Sequence, residues 1–332
     1  MKTVRGRLAP SPTGYLHLGN AWTFMLAWLA ARAEGGEVLL RIEDIDPQRS
    51  RPEYISALMD DIRWLGLDWD YGPGVNKRQC DADNQSGLDY YLQSNRTSLY
   101  DRALAFLSQS GLTYPCFCSR RELRYLAAAP HMDDIGAPYP GTCRNLSREQ
   151  LKSFLAQGRK PSLRLRCPEE LICFSDVVQG YQCLTLADCG GDFVLQRSDG
   201  VIAYQLAVAV DDALMGITQV VRGRDILPST PRQILLLHLL EGRVPQYAHV
   251  PLLLDASGQR LAKRHASLAL RNLRTAGASS SDIIGLFAHL AGISVQGLAT
   301  PSKLLRSFAL SRLPQGDIRL TDDLLRAHGL AA

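Results

Sequence analysis

The sequence contains no apolar run of about eighteen residues, the length that a membrane-crossing helix needs. Its first residues, Met1-Lys2-Thr3-Val4-Arg5, lack the apolar centre of a secretory signal. The cytoplasm is the expected compartment. There is no Gly-x4-Gly-Lys-Ser/Thr phosphate loop and no His-Glu-x-x-His zinc helix, and no Ser/His/Asp triad can be read from spacing. No two cysteines are separated by two residues, the commonest spacing of a zinc knuckle. The eight cysteines stand at 80, 116, 118, 143, 167, 173, 183 and 189. Without a signal peptide they argue for thiols or metal ligands and against a disulfide framework. Neither sign of charge dominates: 37 Lys+Arg against 33 Asp+Glu give a net charge of +4, which permits an RNA partner without requiring one. Internal repeats and low-complexity tracts are missing too.

What remains is ordinary globular material. With 332 residues, 46% hydrophobic and 21% charged, the chain can bury a sizeable core in two or three domains. It is organised around Arg7-Leu8-Ala9-Pro10-Ser11-Pro12-Thr13-Gly14-Tyr15-Leu16-His17-Leu18-Gly19-Asn20. A short strand is expected before this stretch. After it, residues 21–31 are apolar on nearly every face and end at Gly35-Gly36, as a buried helix does. The start of a helix offers free backbone N–H groups and a positive dipole end, which suit phosphate. Gly19 lets a ligand approach the backbone, and His17 adds a donor. Spacing alone leaves an ordinary strand-loop-helix turn equally open.

Residues 38–46 read as a buried parallel strand with Glu43, Asp44 and Asp46 at its carboxyl end, where doubly wound sheets bind ligands. Residues 52–67 have amphipathic helical spacing, and Trp64 and Trp69 suit packing. A polar stretch over 72–94 reads as a long loop, and Cys80 within it has no evident role. Cys116, Cys118 and Cys143 resemble a structural zinc site one ligand short, with buried free thiols as the competing reading. Cys167, Cys173, Cys183 and Cys189 read as core or incidental. Ser119 with Glu122, Ser147 with Gln150, and Thr230-Pro231 with Gln233 have the spacing of capping boxes. Ser281, Thr300 and Thr321 are candidate caps. Leu163-Arg164-Leu165-Arg166 alternates and predicts a half-exposed strand with a basic face. Ser198-Asp199-Gly200 predicts a hairpin-type turn, Tyr204 opens an apolar helix, and further strands are expected over 217–221 and 249–254.

Arg7 to Gly19 resembles the opening motif of class I glutamyl- and glutaminyl-type aminoacyl-tRNA synthetases, in which Asn often replaces the second His, as at Asn20. Arg41-x-Glu43-Asp44-x-Asp46 continues the resemblance, which covers roughly residues 5 to 265. The part of that family it most resembles is the glutamyl-queuosine tRNA(Asp) synthetases. The resemblance implies an α/β fold: a Rossmann-like doubly wound parallel sheet, an inserted zinc-bearing α/β subdomain and a small C-terminal helical domain. Its divisions fall at 1–95 and 191–257 (catalytic), 96–190 (inserted) and 258–332 (closing loop and helical region), with no anticodon-binding domain. It implies Glu43 at the amino group of the substrate, with Tyr204 and Arg222 among the amino-acid contacts, and Tyr139 completing Cys116, Cys118 and Cys143 around zinc. On chemistry, His131 is the rival fourth ligand. Gln259-Arg260-Leu261-Ala262-Lys263-Arg264 stands where the family has its mobile Lys-Met-Ser-Lys-Ser loop. Only Lys263 is retained, and Ala262 removes a hydroxyl.

The chemistry agrees with this outline. Arginine forks suit carboxylates. Arg7 and Arg222 therefore suit a substrate with two carboxylates, and Glu43 suits its ammonium; Arg7 is assigned the side-chain carboxylate, with the swap left open. Leu8, Ala9, Pro10 and Ser11 belong to the same substrate wall. His17, Gly19, Asn20 and Lys263 are the candidates for ATP, with His17 and Lys263 as the catalytic pair. The expected activity is tRNA-independent formation of glutamyl-adenylate from L-glutamate and ATP with Mg2+, followed by transfer to queuosine in tRNA(Asp). The alternatives are a short glutamyl-tRNA synthetase acting on tRNA(Glu) and a non-catalytic zinc RNA-binding paralogue. A monomer is expected.

Overall fold

The computed structural model describes residues 3–75, 88–119, 122, 139–261 and 268–330. Lys263, His131 and Cys80 lie outside the described residues, as does most of the 72–94 stretch.

Strand β1 (Arg5–Leu8) leads through the Pro-rich loop into helix α1 (Leu18–Ala33), and β2 (Glu37–Leu40) returns parallel to β1. Helix α1 has apolar side chains all round, and ten of its residues are buried. It can therefore lie only between layers, with the sheet on one side and other helices on the other. Helix α2 (Pro52–Trp64) carries proline at its first position, and α3 (Thr97–Gln109) follows two short 3-10 turns.

Strands β3 (Thr113–Cys116), β4 (Ser162–Leu165) and β7 (Val194–Gln196) form an antiparallel sheet in the order β3-β4-β7. Strands β5 (Leu171–Asp176) and β6 (Gly180–Thr185) form a hairpin that joins β9 (Gln246–Val250) and β8 (Gln219–Gly223) in the order β6-β5-β9-β8. β1 lies against the free side of β8: the Thr218 N–H donates to the Arg5 carbonyl at 3.0 Å, and the Arg5 N–H to Thr218 Oγ1 at 2.8 Å. β5, β9 and β8 run parallel to one another, as do β1 and β2, but β6 is antiparallel. The sheet is therefore mixed, not wholly parallel as expected, because a tight hairpin supplies its outer strand.

Two large apolar cores flank these strands, with a small third cluster around Tyr114, Cys116, Phe117 and Cys143. One packs α1 and β2 against the C-terminal helices, among them Leu270–Thr275 and Ser280–Leu290. The other packs α3 against the helices Tyr204–Leu214 and Thr230–Leu239. Among the described residues no helix is long and apolar enough to cross a membrane.

Several local expectations hold and others fail for identifiable reasons. The Ser147 and Ser119 capping boxes form, and Thr321 caps its helix. Thr230 and Gln233 do not make a capping box, because their side chains are spent on a buried arginine. Ser279, not Ser281, caps the next helix, and the Ser281 hydroxyl accepts from the Ala299 N–H. Arg164 is not on a solvated face. It is buried, lies 3.8 Å from the Tyr139 ring centre and donates to the Asp192 carbonyl at 2.7 Å. Cys173 and Cys183 are not incidental thiols but a disulfide: the β5–β6 register sets them opposite each other, with Cα atoms 4.1 Å apart. Their separation of 10 in sequence hid the hairpin that pairs them.

Beneath the sheet, Asp211 accepts from Arg96 Nε at 2.7 Å, from Gln93 at 2.8 Å and from the Tyr100 hydroxyl at 2.9 Å, all buried. Removing the carboxylate leaves Arg96 charged and unpaired in the core. Asp211→Ala is expected to lose about 3–5 kcal/mol of stability, measured by urea unfolding. A loss below about 1 kcal/mol would mean that water had replaced the pairing.

Candidate active site

β1 and β8 lie side by side and point their carboxyl ends the same way. The chain after β1 turns toward α1, and the chain after β8 turns the opposite way toward the helix Thr230–Leu239. The crevice between the two departures is where open α/β sheets bind ligands. A cavity of about 830 Å³ lies there, lined by residues of both loops and of the segment after β2. This is within the usual range for a small-molecule site.

Arg7, the third residue of β1, enters this cavity from below. Its Nη1 donates to the Val221 carbonyl at 3.2 Å, and its Nε lies 3.6 Å from Asp212. Burial pulls the Arg7 guanidinium below its ordinary value; Asp212 opposes this, and the positive neighbours Arg41 and Arg222 add to it. Arg41 lies behind it, wholly buried, donating to Asp212 at 2.7 Å and to Glu43 at 3.1 Å. Glu43 lines the cavity beside Arg7. Burial pushes its carboxyl above the ordinary range, while Arg41 and Arg7 pull the other way.

Arg222 enters from β8 and is 4% exposed. Its Nε donates to His249, one terminal nitrogen to Gln233 at 2.6 Å and the other to Thr230 at 2.7 Å. Tyr204, at the start of its helix, completes this wall. The three groups that the sequence singles out for a dicarboxylic amino acid, Arg7, Arg222 and Glu43, thus face one cavity. Their summed charge is +1. An amino acid with two carboxylates and one ammonium carries −1, so the pair is neutral.

The opposite wall is the start of α1. The helix begins at Leu18, ahead of the apolar run 21–31 that marks it in the sequence. His17 is its cap: Nδ1 accepts from the Gly19 N–H at 3.1 Å, and Asn20 Oδ1 accepts from the His17 N–H at 3.2 Å. With Nδ1 accepting, the neutral ring carries its proton on Nε2. A Cβ at position 19 would come within 3.1 Å of that ring, so the glycine makes room for His17. His17, Gly19 and Asn20 all line the cavity, as do Ala9, Pro10 and Ser11. Leu8 does not. Its side chain is wholly buried in the apolar core, because alternate residues of a strand face opposite ways. Arg260 also lines the cavity and is paired with Asp225 at 2.6 Å.

In the sequence Asp212 and His249 carry no assignment to the site, Arg41 enters only as part of the Arg-x-Glu-Asp-x-Asp motif, and Thr230 and Gln233 only as capping residues. The signal for Asp212 was present, as one of two adjacent acids in an otherwise apolar helix. His249, a polar residue near the end of a buried strand, was another.

Away from the cavity, the thiols of Cys116, Cys118 and Cys143 lie within 4.8 Å of one another. The Tyr139 hydroxyl is 3.4 Å from Cys116 Sγ and accepts from the Cys143 N–H at 2.8 Å. Burial opposes ionisation of Cys116. Hydrogen bonds from Tyr139, the Cys118 backbone and Arg164 outweigh it and hold the thiol below its ordinary range. Burial and the neighbouring thiols push Cys118 up to about 12. Three soft ligands at this separation could hold a metal ion.

Residues 3–309 match the family model of tRNA synthetases class I (E and Q), catalytic domain. The chain is 58% identical over 290 residues to the Glutamyl-Q tRNA(Asp) synthetase of Nitratidesulfovibrio vulgaris, covering 87% of each chain. It is 49% identical over 324 residues to the Glutamyl-Q tRNA(Asp) synthetase of Symbiobacterium thermophilum, covering 97% of each. Among solved structures it is similar to the glutamate-tRNA synthetase of Elizabethkingia anophelis, with a TM-score of 0.79 and 27% identity over 98% of this chain and 70% of that one. A match over most of its length, with the motif residues gathered at one crevice, places this chain in the glutamyl- and glutaminyl-type family of class I tRNA synthetases.

Proposed function

We propose that the chain activates L-glutamate with ATP in this cavity, without tRNA, and transfers the glutamyl group to the queuosine base at the wobble position of tRNA(Asp). The observation that carries the first half is the convergence of Arg7, Arg222 and Glu43. A carboxylate oxygen of glutamate attacks the α-phosphorus of ATP, and pyrophosphate leaves. Arg7 takes the side-chain carboxylate and Arg222 the other, while Glu43 holds the ammonium. His17, from Nε2, and the α1 backbone at Gly19 and Asn20 meet phosphate charge from one side. Lys263 is assigned the other side from its place in the sequence. ATP enters with Mg2+. In the second step a hydroxyl of the cyclopentenediol attacks the glutamyl carbonyl, and AMP leaves. The names of the relatives support this acceptor.

Segments 1–95 and 191–257 supply this chemistry, 96–190 the acceptor-side insertion, and 258–332 the closing loop and helical region, in a monomer. Cys116, Cys118 and Cys143 with Tyr139 hold a structural zinc ion, which would tie the start of the insertion to its 139–143 loop. The likeness to a glutamate-tRNA synthetase supports a second reading, transfer to tRNA(Glu).

Glutamate-dependent ATP–pyrophosphate exchange without tRNA is expected. So is transfer of labelled glutamate to queuosine-bearing tRNA(Asp) but not to purified tRNA(Glu); the reverse preference would establish the second reading. Glu43 must be ionised to hold an ammonium, and its pKa is raised. The KM for glutamate should therefore be lowest above that pKa and rise as pH falls through it. Glu43→Gln should bind weakly at every pH and lose this dependence, measured as exchange KM against pH. Cys116→Ser is expected to lose bound zinc, measured by elemental analysis, and to melt at a lower temperature; unchanged zinc would remove the assignment.

A further inference from the structure

Arg222 is unusual among the cavity residues because its orientation is set by uncharged partners. Asp212 lies near Arg7 and pairs with Arg41. Arg222 has instead the Gln233 amide oxygen, the Thr230 hydroxyl and the His249 ring. Three of its five N–H groups are engaged, and each terminal nitrogen keeps one more for a ligand.

The bond to His249 constrains the most. Arg222 Nε can only donate, so His249 Nε2, at 3.0 Å, must be an acceptor. The proton of a neutral ring then sits on Nδ1, which lies 2.6 Å from Asp176 Oδ2. Asp176 is buried at the end of β5, and its Oδ1 accepts from the backbone N–H groups of Val178, Gln179 and His249. Its carboxylate is thus fixed in place by the turn that follows the strand. His249 is directly opposite Arg222 in the β8–β9 register and is wholly buried. Burial and the Arg222 charge bring the imidazole down to about 4, against the pull of Asp176, so it stays neutral.

We propose that Asp176 and His249 are positioning residues for substrate recognition: Asp176 fixes the tautomer of His249, and His249 holds the Arg222 guanidinium so that its terminal N–H pair meets a carboxylate of the amino acid. The proposal rests on the function given above, and none of its steps needs Asp176 or His249 to touch the substrate.

The test reverses one hydrogen. In Asp176→Asn the amide oxygen can keep the turn N–H groups at the Oδ1 position. The amide nitrogen then replaces Oδ2 and donates to Nδ1, and the His249 N–H, shared between the two oxygens in the wild type, keeps only the Oδ1 position. His249 must move its proton to Nε2, where it confronts the Arg222 Nε–H and turns the Thr230 hydroxyl, 3.1 Å away, from a donor to that nitrogen into an acceptor. In wild-type protein the nitrogen-15 spectrum of His249 should show the Nδ1–H tautomer, and in Asp176→Asn the Nε2–H tautomer. Asp176→Asn and His249→Leu should each lower the melting temperature, as changes to a buried hydrogen-bonded set do, and, assayed well below it, should raise the KM for glutamate about tenfold or more with the KM for ATP little changed. His249→Gln, whose amide oxygen can accept from Nε, should recover most of the loss. A wild-type Nε2–H tautomer, or an unchanged glutamate KM in folded Asp176→Asn, would overturn the proposal. So would a KM for ATP that rises as much as the KM for glutamate in variants assayed well below their melting temperature. The spectrum needs no substrate. A wild-type chain that fails to exchange with glutamate would therefore overturn the function, while the tautomer would still decide the positioning.

Discussion

Asp212 supports the site. Its carboxylate lies 2.7 Å from Arg41 and 3.6 Å from Arg7, both buried arginines. Each unpaired charge in such surroundings would cost several kcal/mol. One acid between two guanidiniums offsets part of that cost and leaves positive charge unspent. Arg41 takes most of the contact and passes the remainder to Glu43. Arg7 receives the longer, weaker pairing and therefore keeps its fork for something else. A site that had neutralised Arg7 fully would be more stable and of no use to an anion.

Topology produces this arrangement at little local cost. Arg7 and Arg222 are more than two hundred positions apart in sequence, yet β1 and β8 are side by side. The chain between them can therefore hold a second sheet, β3-β4-β7, without disturbing the crevice. Asp211 and Asp212 stand on one helix turn and share Arg41, at 3.8 and 2.7 Å, but otherwise differ: Asp211 fastens α3 and the turn before it through Arg96 and Tyr100, while Asp212 lies 3.6 Å from Arg7.

The parts of the site legible in the sequence were those whose chemistry is local. His17, Gly19 and Asn20 form one helix start, and the Arg-x-Glu spacing after β2 sets Arg41 and Glu43 on adjacent same-face positions of the chain. The mixed sheet and the Cys173–Cys183 bond were not legible, because both depend on a hairpin register that alternation alone does not specify. Thr230 and Gln233 show the limit most plainly. Their spacing satisfies the rule for a capping box, and an isolated peptide would satisfy it that way. In the fold, a buried guanidinium competes for the same two side chains. Its unsatisfied N–H groups would cost more than an uncapped helix end, which short backbone bonds can close. The arginine therefore takes them.

In the proposed recognition of glutamate, the same competition would give the site its discrimination. Each fixed partner of Arg222 removes one way for the guanidinium to turn toward water when no substrate is present. Arg7, between a carbonyl and a distant carboxylate, is restrained similarly. An amide in place of a substrate carboxylate would present a donor to one of these forks and leave a buried cation without its anion. Sites that bury a polar group for one ligand reject the ligand that cannot pair with it far more strongly than apolar pockets reject a missing methylene. Under the proposed roles, selection of an acid over its amide would need no separate gate. It follows from holding two guanidiniums rigidly in a place that water reaches poorly.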